Sequence, residues 1–462
     1  MLPARYAHQQ TTVDFVQSRP RMLNFSDPGT GKTRAHLDAL AERGTRKRCL
    51  IVAPLSILEA AWANDIDEFQ PGLTYSIADA RHRMQAFEVD TDIVLTNHDG
   101  IKALHTAHFK THKGLLNEFD TLIIDEATAF KNLAGRGCAS RTRAMADLRH
   151  LFEHRQLLTG TPATNSVLDV WAIAFLCDDG ARLGESFYAF RNQVTTPVQV
   201  GPSSQMIQWQ EKPGALDNVT DRLSDITIRF KKSDCIDIPP NHVYTVHTTL
   251  PPAVMRQYNE LARASRLELD NGAIINAVHA GARAQKLLQL CTGATYDEHG
   301  NAAVVHTERY KMIIDLVLER PWPCVVVFNW RHEREQLVEL AKHYHLPFEI
   351  LDGETPVNTR RAIVRDFQNE HYRALFIHPK AAAHGLTLTA GRSTIWSSPT
   401  SNAEHFIQAS ARIDRSGQQH TTETILVTAR NTRETRVYDM LQGNMERVNT
   451  LLELLIQQPE AA

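Results

Sequence analysis

The chain has 462 residues, 42% of them hydrophobic and 22% charged, and its 50 Lys and Arg against 53 Asp and Glu leave a net charge of −3. That balance excludes a disordered or fibrous chain, and the length allows two or three domains that each bury a core. A near-neutral sum also excludes a global polycation, so any nucleic-acid site has to be a local basic strip.

The six cysteines (Cys49, Cys138, Cys177, Cys235, Cys291, Cys324) are scattered without a C-x-x-C pair. This excludes a disulfide scaffold or zinc finger and suits a reducing compartment. No apolar run approaches about 18 residues, and the start is polar and aromatic rather than a signal peptide, so a cytoplasmic chain with no membrane partner is expected.

Along the chain, short apolar, β-branched runs alternate with helical patterns. The first series is Met22–Phe25, Leu50–Ala53, Asp92–Thr96, Thr121–Asp125 and Arg155–Thr159. The texture then changes: Thr195–Ala215 is rich in Pro, Gly, Ser and Gln, and the turn Gly201-Pro202-Ser203-Ser204 between alternating stretches predicts a projecting hairpin. Pro239-Pro240 and Pro251-Pro252 bracket a strand-like stretch, His242–Leu250, and mark a domain exit. Ala253–Leu290 reads as helical, and Tyr296–Val305 around Asp297-Glu298-His299-Gly300 as a second hairpin. The second series follows: Cys324–Asn329, Phe348–Leu351, Ala374–Ile377, Thr394–Ser397 and Thr424–Thr428. Nearly all-apolar runs of this length are strands of parallel sheets covered on both faces, so two doubly wound α/β domains are predicted. The expected division is 1–245, a helical and hairpin connection 246–308, a second domain 309–445, and a C-terminal helix and tail 446–462.

Two motifs carry chemistry. Ser26-Asp27-Pro28-Gly29-Thr30-Gly31-Lys32-Thr33 follows a predicted strand and opens a helix. Gly29, Thr30 and Gly31 would present backbone N–H groups and the helix dipole to a polyphosphate, Lys32 would reach its β- and γ-phosphates, and Thr33 would ligate Mg2+. Ser26 stands where the usual pattern has its first glycine. The strand Thr121–Asp125 then ends in Asp125-Glu126, where strand ends of open α/β sheets face the ligand crevice. Asp125 would hold Mg2+, and Glu126 would take the proton from an attacking water. No His pair has metal-site spacing with acidic support.

With these in place, the remaining blocks resemble the ordered motifs of superfamily-two helicases, in particular the Swi/Snf-type DNA-dependent ATPases in their minimal phage or bacterial form. The resemblance is carried by Leu50–Leu58 followed by Trp62, Asp92–Asn97, Leu157-Leu158-Thr159-Gly160-Thr161-Pro162-Ala163-Thr164-Asn165, Arg229–Lys232 ahead of Ile238-Pro239-Pro240, Asp352-Gly353 with Arg360–Phe367, Gly385–Ala390 and Gln408–Gln418. It spans about residues 5–430. Thr128 and Ala411 depart from the family pattern, and the long second-lobe insertion of chromatin remodellers is absent.

The resemblance implies two tandem RecA-like lobes with a small helical and hairpin insertion between them, ATP and Mg2+ as cofactors, and duplex DNA as partner. It assigns adenine recognition to Gln9, further nucleotide contact to Gln408, γ-phosphate contact to Arg412 and Arg415, and coupling to Thr159, Gly160 and Thr161. Backbone contacts to nucleic acid fall to Pro54, Ser56, Thr96, Gly385 and Thr387. An ATP-dependent translocase or helicase on double-stranded DNA is therefore expected, with an RNA helicase or an ATP-driven clamp as alternatives. The hairpin around Val198–Trp209 reads equally as a duplex wedge or a surface ornament.

Overall fold

Two all-parallel sheets organise the protein. The computed structural model describes residues 3–44, 47–135, 137–163, 166–200, 206–263, 266–268, 274–276, 280–297, 300–382, 386–415 and 417–456. The chain forms two compact units, Met1–Asp237 with Asn444–Ala462, and Ile238–Gly443.

The first unit holds strands β1 (Arg21–Asn24), β2 (Arg48–Ala53), β3 (Tyr75–Ala78), β4 (Ile93–Asn97), β5 (Phe119–Asp125), β6 (His154–Leu158), β7 (Thr195–Gln199), β8 (Ile207–Glu211) and β9 (Thr227–Ile228). Seven of them make one parallel sheet in the order β3-β4-β2-β5-β6-β1-β9. Successive side chains of a strand point to opposite faces, and here both faces are covered. Leu50, Val52, Leu122 and Ile124 enter one hydrophobic core, while Cys49, Ile51, Ala53 and Ile123 enter another on the opposite side. That double burial is why these strands read as continuous apolar runs.

The second unit holds β10 (Asn241–Thr248), β11 (Arg266–Glu268), β12 (Ile274–Asn276), β13 (Ala294–Tyr296), β14 (Ala302–Val304), β15 (Cys324–Val327), β16 (Phe348–Leu351), β17 (Ala374–Ile377), β18 (Ser393–Trp396) and β19 (Thr422–Ala429). Its parallel sheet has the order β10-β19-β18-β15-β17-β16. Both units are thus doubly wound parallel-sheet lobes, the tandem RecA-like arrangement implied by the motifs.

Several expectations are corrected. β3 and β9 were not foreseen: β3 is a four-residue strand half-open to solvent, and β9 has two residues. The stretch Ala253–Leu290 is not one helix but two, Pro252–Arg263 and Ala280–Cys291, separated by the β11–β12 hairpin. The expected boundary at 245 falls inside β10, which pairs with β19 along its whole length. The chain passes into the second unit between residues 237 and 238. The last helix, Arg433–Ile456, belongs to the second unit up to Gly443 and to the first from Asn444; Val448, Leu451 and Leu452 join the first unit's core. The hairpins β7–β8 and β13–β14 form where the turn residues predict them, although 201–205 and 298–299 lie outside the described residues. No described helix is long and apolar enough to cross a membrane.

Candidate active site

β1 leads into the phosphate loop, and the helix Lys32–Arg43 begins directly after Gly31. Gly29 and Gly31 have φ of 87° and 74°, a left-handed backbone that favours glycine. The Gln9 side-chain amide lies directly against Gly31, where a Cβ would make it shift. Position 26 is not among the left-handed residues, so serine fits where the general pattern has glycine. The buried Ser26 hydroxyl instead accepts from Phe230 N–H at 3.0 Å, while its own amide donates to Asn24 Oδ1 at 3.0 Å.

The segment after β9 clamps this loop from outside. Arg229 pairs with Asp27 at 2.7 Å, Lys232 N–H reaches the other Asp27 oxygen at 3.0 Å, and Asp27 N–H donates to Phe230 O. Below the loop, the buried His36 ring contacts Asn24 Nδ2 at 3.0 Å through Nε2, and Gln156 Oε1 through Nδ1. Gln156 offers an acceptor, so Nδ1 carries the proton and Nε2 accepts from Asn24. Burial lowers the His36 pKa to about 4 and keeps the ring neutral. The helix Ala7–Ser18 adds His8, whose Nε2 donates to Thr30 O at 2.8 Å, and Gln9, which accepts from Tyr6 N–H.

Lys32 Nζ donates to Ser26 O at 2.7 Å and Asp27 O at 3.1 Å. Burial lowers its pKa, and the carboxylates of Glu126, Asp125 and Asp27 act against that shift. The phosphate loop and the acid pair therefore share one electrostatic neighbourhood. Asp125 ends β5; Trp62 Nε1–H donates to its Oδ2 at 3.0 Å, and Glu126 N–H to its Oδ1 at 3.0 Å. Burial raises the Asp125 pKa, while Lys32 and the Trp62 hydrogen bond pull it down. His98 Nε2 donates to the Asp125 carbonyl at 2.8 Å, and burial holds its pKa at about 4. Glu126 sits at φ 50°, ψ 55°, a left-handed conformation that costs a non-glycine residue about 1–3 kcal/mol.

The expected coupling segment touches the loop. Thr159 N–H donates to Asn24 O at 3.0 Å, Thr161 N–H to Thr159 Oγ1 at 3.1 Å, and a Cβ on Gly160 would stand 2.8 Å from Pro28 Cδ. Thr164 and Asn165 lie outside the described residues.

The expected nucleic-acid contacts fare unevenly. Pro54 is buried, and Ser56 Oγ is buried with no hydrogen-bond partner. Thr96 is fully buried in β4 and gives its hydroxyl to Ala78 O at 3.2 Å, so it does not offer that group to a backbone phosphate. Thr387 is half-buried, and Gly385 lies outside the described residues. At the projecting hairpin, the Arg191 guanidinium stacks 3.6 Å over the Trp209 ring.

In the second unit, the turn after the helix Ala403–Ser410 brings Arg412 and Arg415 to one carbonyl, Leu386 O, at 3.4 and 2.9 Å. Gln418 fixes this turn by donating to Thr389 O, Gly391 O and Ile413 O. Gln408 is buried and reaches Glu404 at 3.4 Å.

Four contributors were not assigned roles from the sequence: Trp62 and His98 on Asp125, Arg229 on Asp27, and His36 under the loop. Each is polar or aromatic just beyond a strand or in the first turns of a helix, a placement that marks a site only once the sheet order is known.

A family model described as SNF2-related domain matches residues 8–293, more than half the chain, and one described as helicase conserved C-terminal domain matches 308–417. Protein p41 of Acyrthosiphon pisum secondary endosymbiont phage 1 is 27% identical over 400 residues, covering 83% of this chain and 82% of its own length. An ATP-dependent helicase of Mycoplasma pneumoniae is 24% identical over 439 residues; 92% of this chain matches, but only 40% of that protein. Among solved structures, the Sulfolobus solfataricus SWI2/SNF2 ATPase core in complex with dsDNA is similar, with TM-score 0.44 and 19% identity over 99% of this chain and 95% of that one.

Proposed function

The chain belongs to the SNF2-related family and is an ATP hydrolase driving a DNA motor; on that premise we infer that it translocates on duplex DNA, with the residues gathered at Lys32 and Asp125 carrying the chemistry. The observation behind this reading is the convergence of Lys32, Asp125 and Glu126 at the ends of β1 and β5, where burial disfavours the charged forms of Lys32 and Asp125 alike. Such opposed shifts in one crevice are typical of reactive centres.

In this reading the amides of Gly29–Thr33 and Lys32 bind the β- and γ-phosphates, and Gln9, beside Gly31, meets the base. Thr33 and Asp125 supply hard oxygen ligands for Mg2+, which would neutralise charge on the phosphate oxygens. The described residues hold no cluster of three His, Cys, Asp or Glu able to cage an ion, and Mg2+ is suited to one or two protein oxygens completed by phosphate and water. Glu126 orients the attacking water and accepts its proton. Arg412 and Arg415 stabilise charge on the transferring phosphoryl group, a role that typically contributes about 10³–10⁵ in rate. Thr159–Thr161, packed on Asn24 and Pro28, sense the state of the loop.

ATP hydrolysis measured without polymer and with duplex DNA, single-stranded DNA or RNA tests the assignment. Duplex should stimulate most, and stimulation by RNA alone overturns the DNA reading. Lys32→Ala should lower turnover by about 10²–10³ or more with unchanged circular dichroism. Unchanged hydrolysis would remove the loop from the chemistry.

A further inference from the structure

We propose that Trp62 and His98 transmit duplex binding to the acid pair, because each lies just past a block that resembles a nucleic-acid-contacting motif, Leu50–Leu58 or Asp92–Asn97, and each donates a hydrogen bond to Asp125. The inference rests on the proposed role of Asp125 and on that resemblance of the two blocks, and it does not use the Thr96 hydroxyl, which is turned to Ala78 O.

β2 and β4 both lie on one side of β5 in the sheet, with β2 its neighbour and β4 next beyond. Past the end of β2 the chain runs through Pro54, a 3-10 turn at Leu55–Ile57 and a π-helical turn at Leu58–Ala63 that carries Trp62. Single π turns are uncommon and frequent at functional sites. The Trp62 side chain is fully buried, so its indole N–H cannot swing to follow Asp125 independently of the backbone. A shift of the 54–63 segment changes the 3.0 Å contact to Oδ2 directly.

Past the end of β4, His98 opens another 3-10 turn and grips the other side of the same residue, at 2.8 Å from the Asp125 carbonyl. Its ring also packs edge-on against Phe130, 5.3 Å between centroids, on the turn Ala127–Phe130 that follows Glu126. His98 thus holds the peptide unit before Glu126 and the aromatic ring after it. Strained backbone persists only where its surroundings over-determine it, and Glu126 at φ 50° is the residue so constrained. Trp62 governs the direction of the Asp125 carboxylate, and His98 governs the backbone from which Glu126 projects. Both are positioning residues, since neither would touch the nucleotide.

The test is the ratio of ATP hydrolysis at saturating duplex to hydrolysis without polymer, with duplex affinity measured alongside. Trp62→Phe and His98→Phe keep an aromatic ring and remove the N–H donor. Each should lower the ratio about tenfold, within the usual span of coupling between two sites. His98→Gln, which restores a donor, should recover part of it. A purely structural contribution would lower melting temperature and both rates together, leaving the ratio unchanged, and that result overturns the inference. A wild-type chain whose hydrolysis ignores duplex overturns the proposed function along with it. A stimulated wild type with unaltered variants overturns the inference alone.

Discussion

In the second lobe, charge buried near the strand ends is met by fixed partners. Arg309 and Glu434, both fully buried, pair at 2.5 Å; Arg309 also donates to Ser397 O, and Glu434 accepts from Ala429 N–H. Glu333, equally buried, accepts from the amides of Asn329 and Trp330 and the hydroxyls of Ser397 and Ser398. In the first lobe, Lys32 and Asp125 sit in a shared field with their charged forms disfavoured by burial, and Glu126 adds backbone strain. The same sheet plan therefore serves two ends. Burial disfavours the charged form of Glu333 too, but four protein donors answer it. Lys32 instead meets two backbone carbonyls and Asp125 two N–H donors, a set that metal and phosphate would complete in the proposed function.

Removing one member of the second lobe's pair should have the largest effect on stability. Arg309→Met leaves Glu434 buried without its cation and should cost about 3–5 kcal/mol in denaturant unfolding. Replacing both, Arg309→Met with Glu434→Gln, should recover much of that loss. A single variant as stable as the parent would mean the pair is not the fixed partnership described.

Acid should strike the first lobe through His36 and His98. Both pKa values are depressed by burial to about 4, so their contribution is present above the unfolded value near 6.5 and is lost as pH falls towards 4. Each is worth up to about 3 kcal/mol over that window. Melting temperature followed from pH 7 to 4 should fall steeply, and His36→Gln should flatten the curve.

The smallest effect tests the strain. Glu126→Gly relaxes a left-handed residue and should raise stability by about 1 kcal/mol while hydrolysis is lost. A less stable variant would show that Glu126 is not held against its preference.

Ten core strands of the two sheets were legible because double burial leaves apolar runs, and the phosphate loop and acid pair because their residue types are tied to chemistry at set spacing. β3 and β9 escaped because a half-open strand and a two-residue strand carry little pattern. The break in Ala253–Leu290 was not legible because β11 and β12 are three residues each and carry little pattern between two helical stretches. Trp62 and His98 could not be tied to Asp125, because that link runs across strands and depends on the order β4-β2-β5. The inward bond of the Thr96 hydroxyl to Ala78 O likewise depends on which strand lies beside β4, which the residues of one strand do not reveal.

The final helix adds a consequence for synthesis. Leu451 and Leu452 are part of the core that Leu23 and Leu50 begin. On the ribosome, the lobe whose strands emerge first therefore has to wait, part of its interior uncovered, while the whole of the other lobe is translated. At roughly 5–20 residues per second that delay is about 10 to 40 s, a window in which a nascent chain needs shelter from its neighbours.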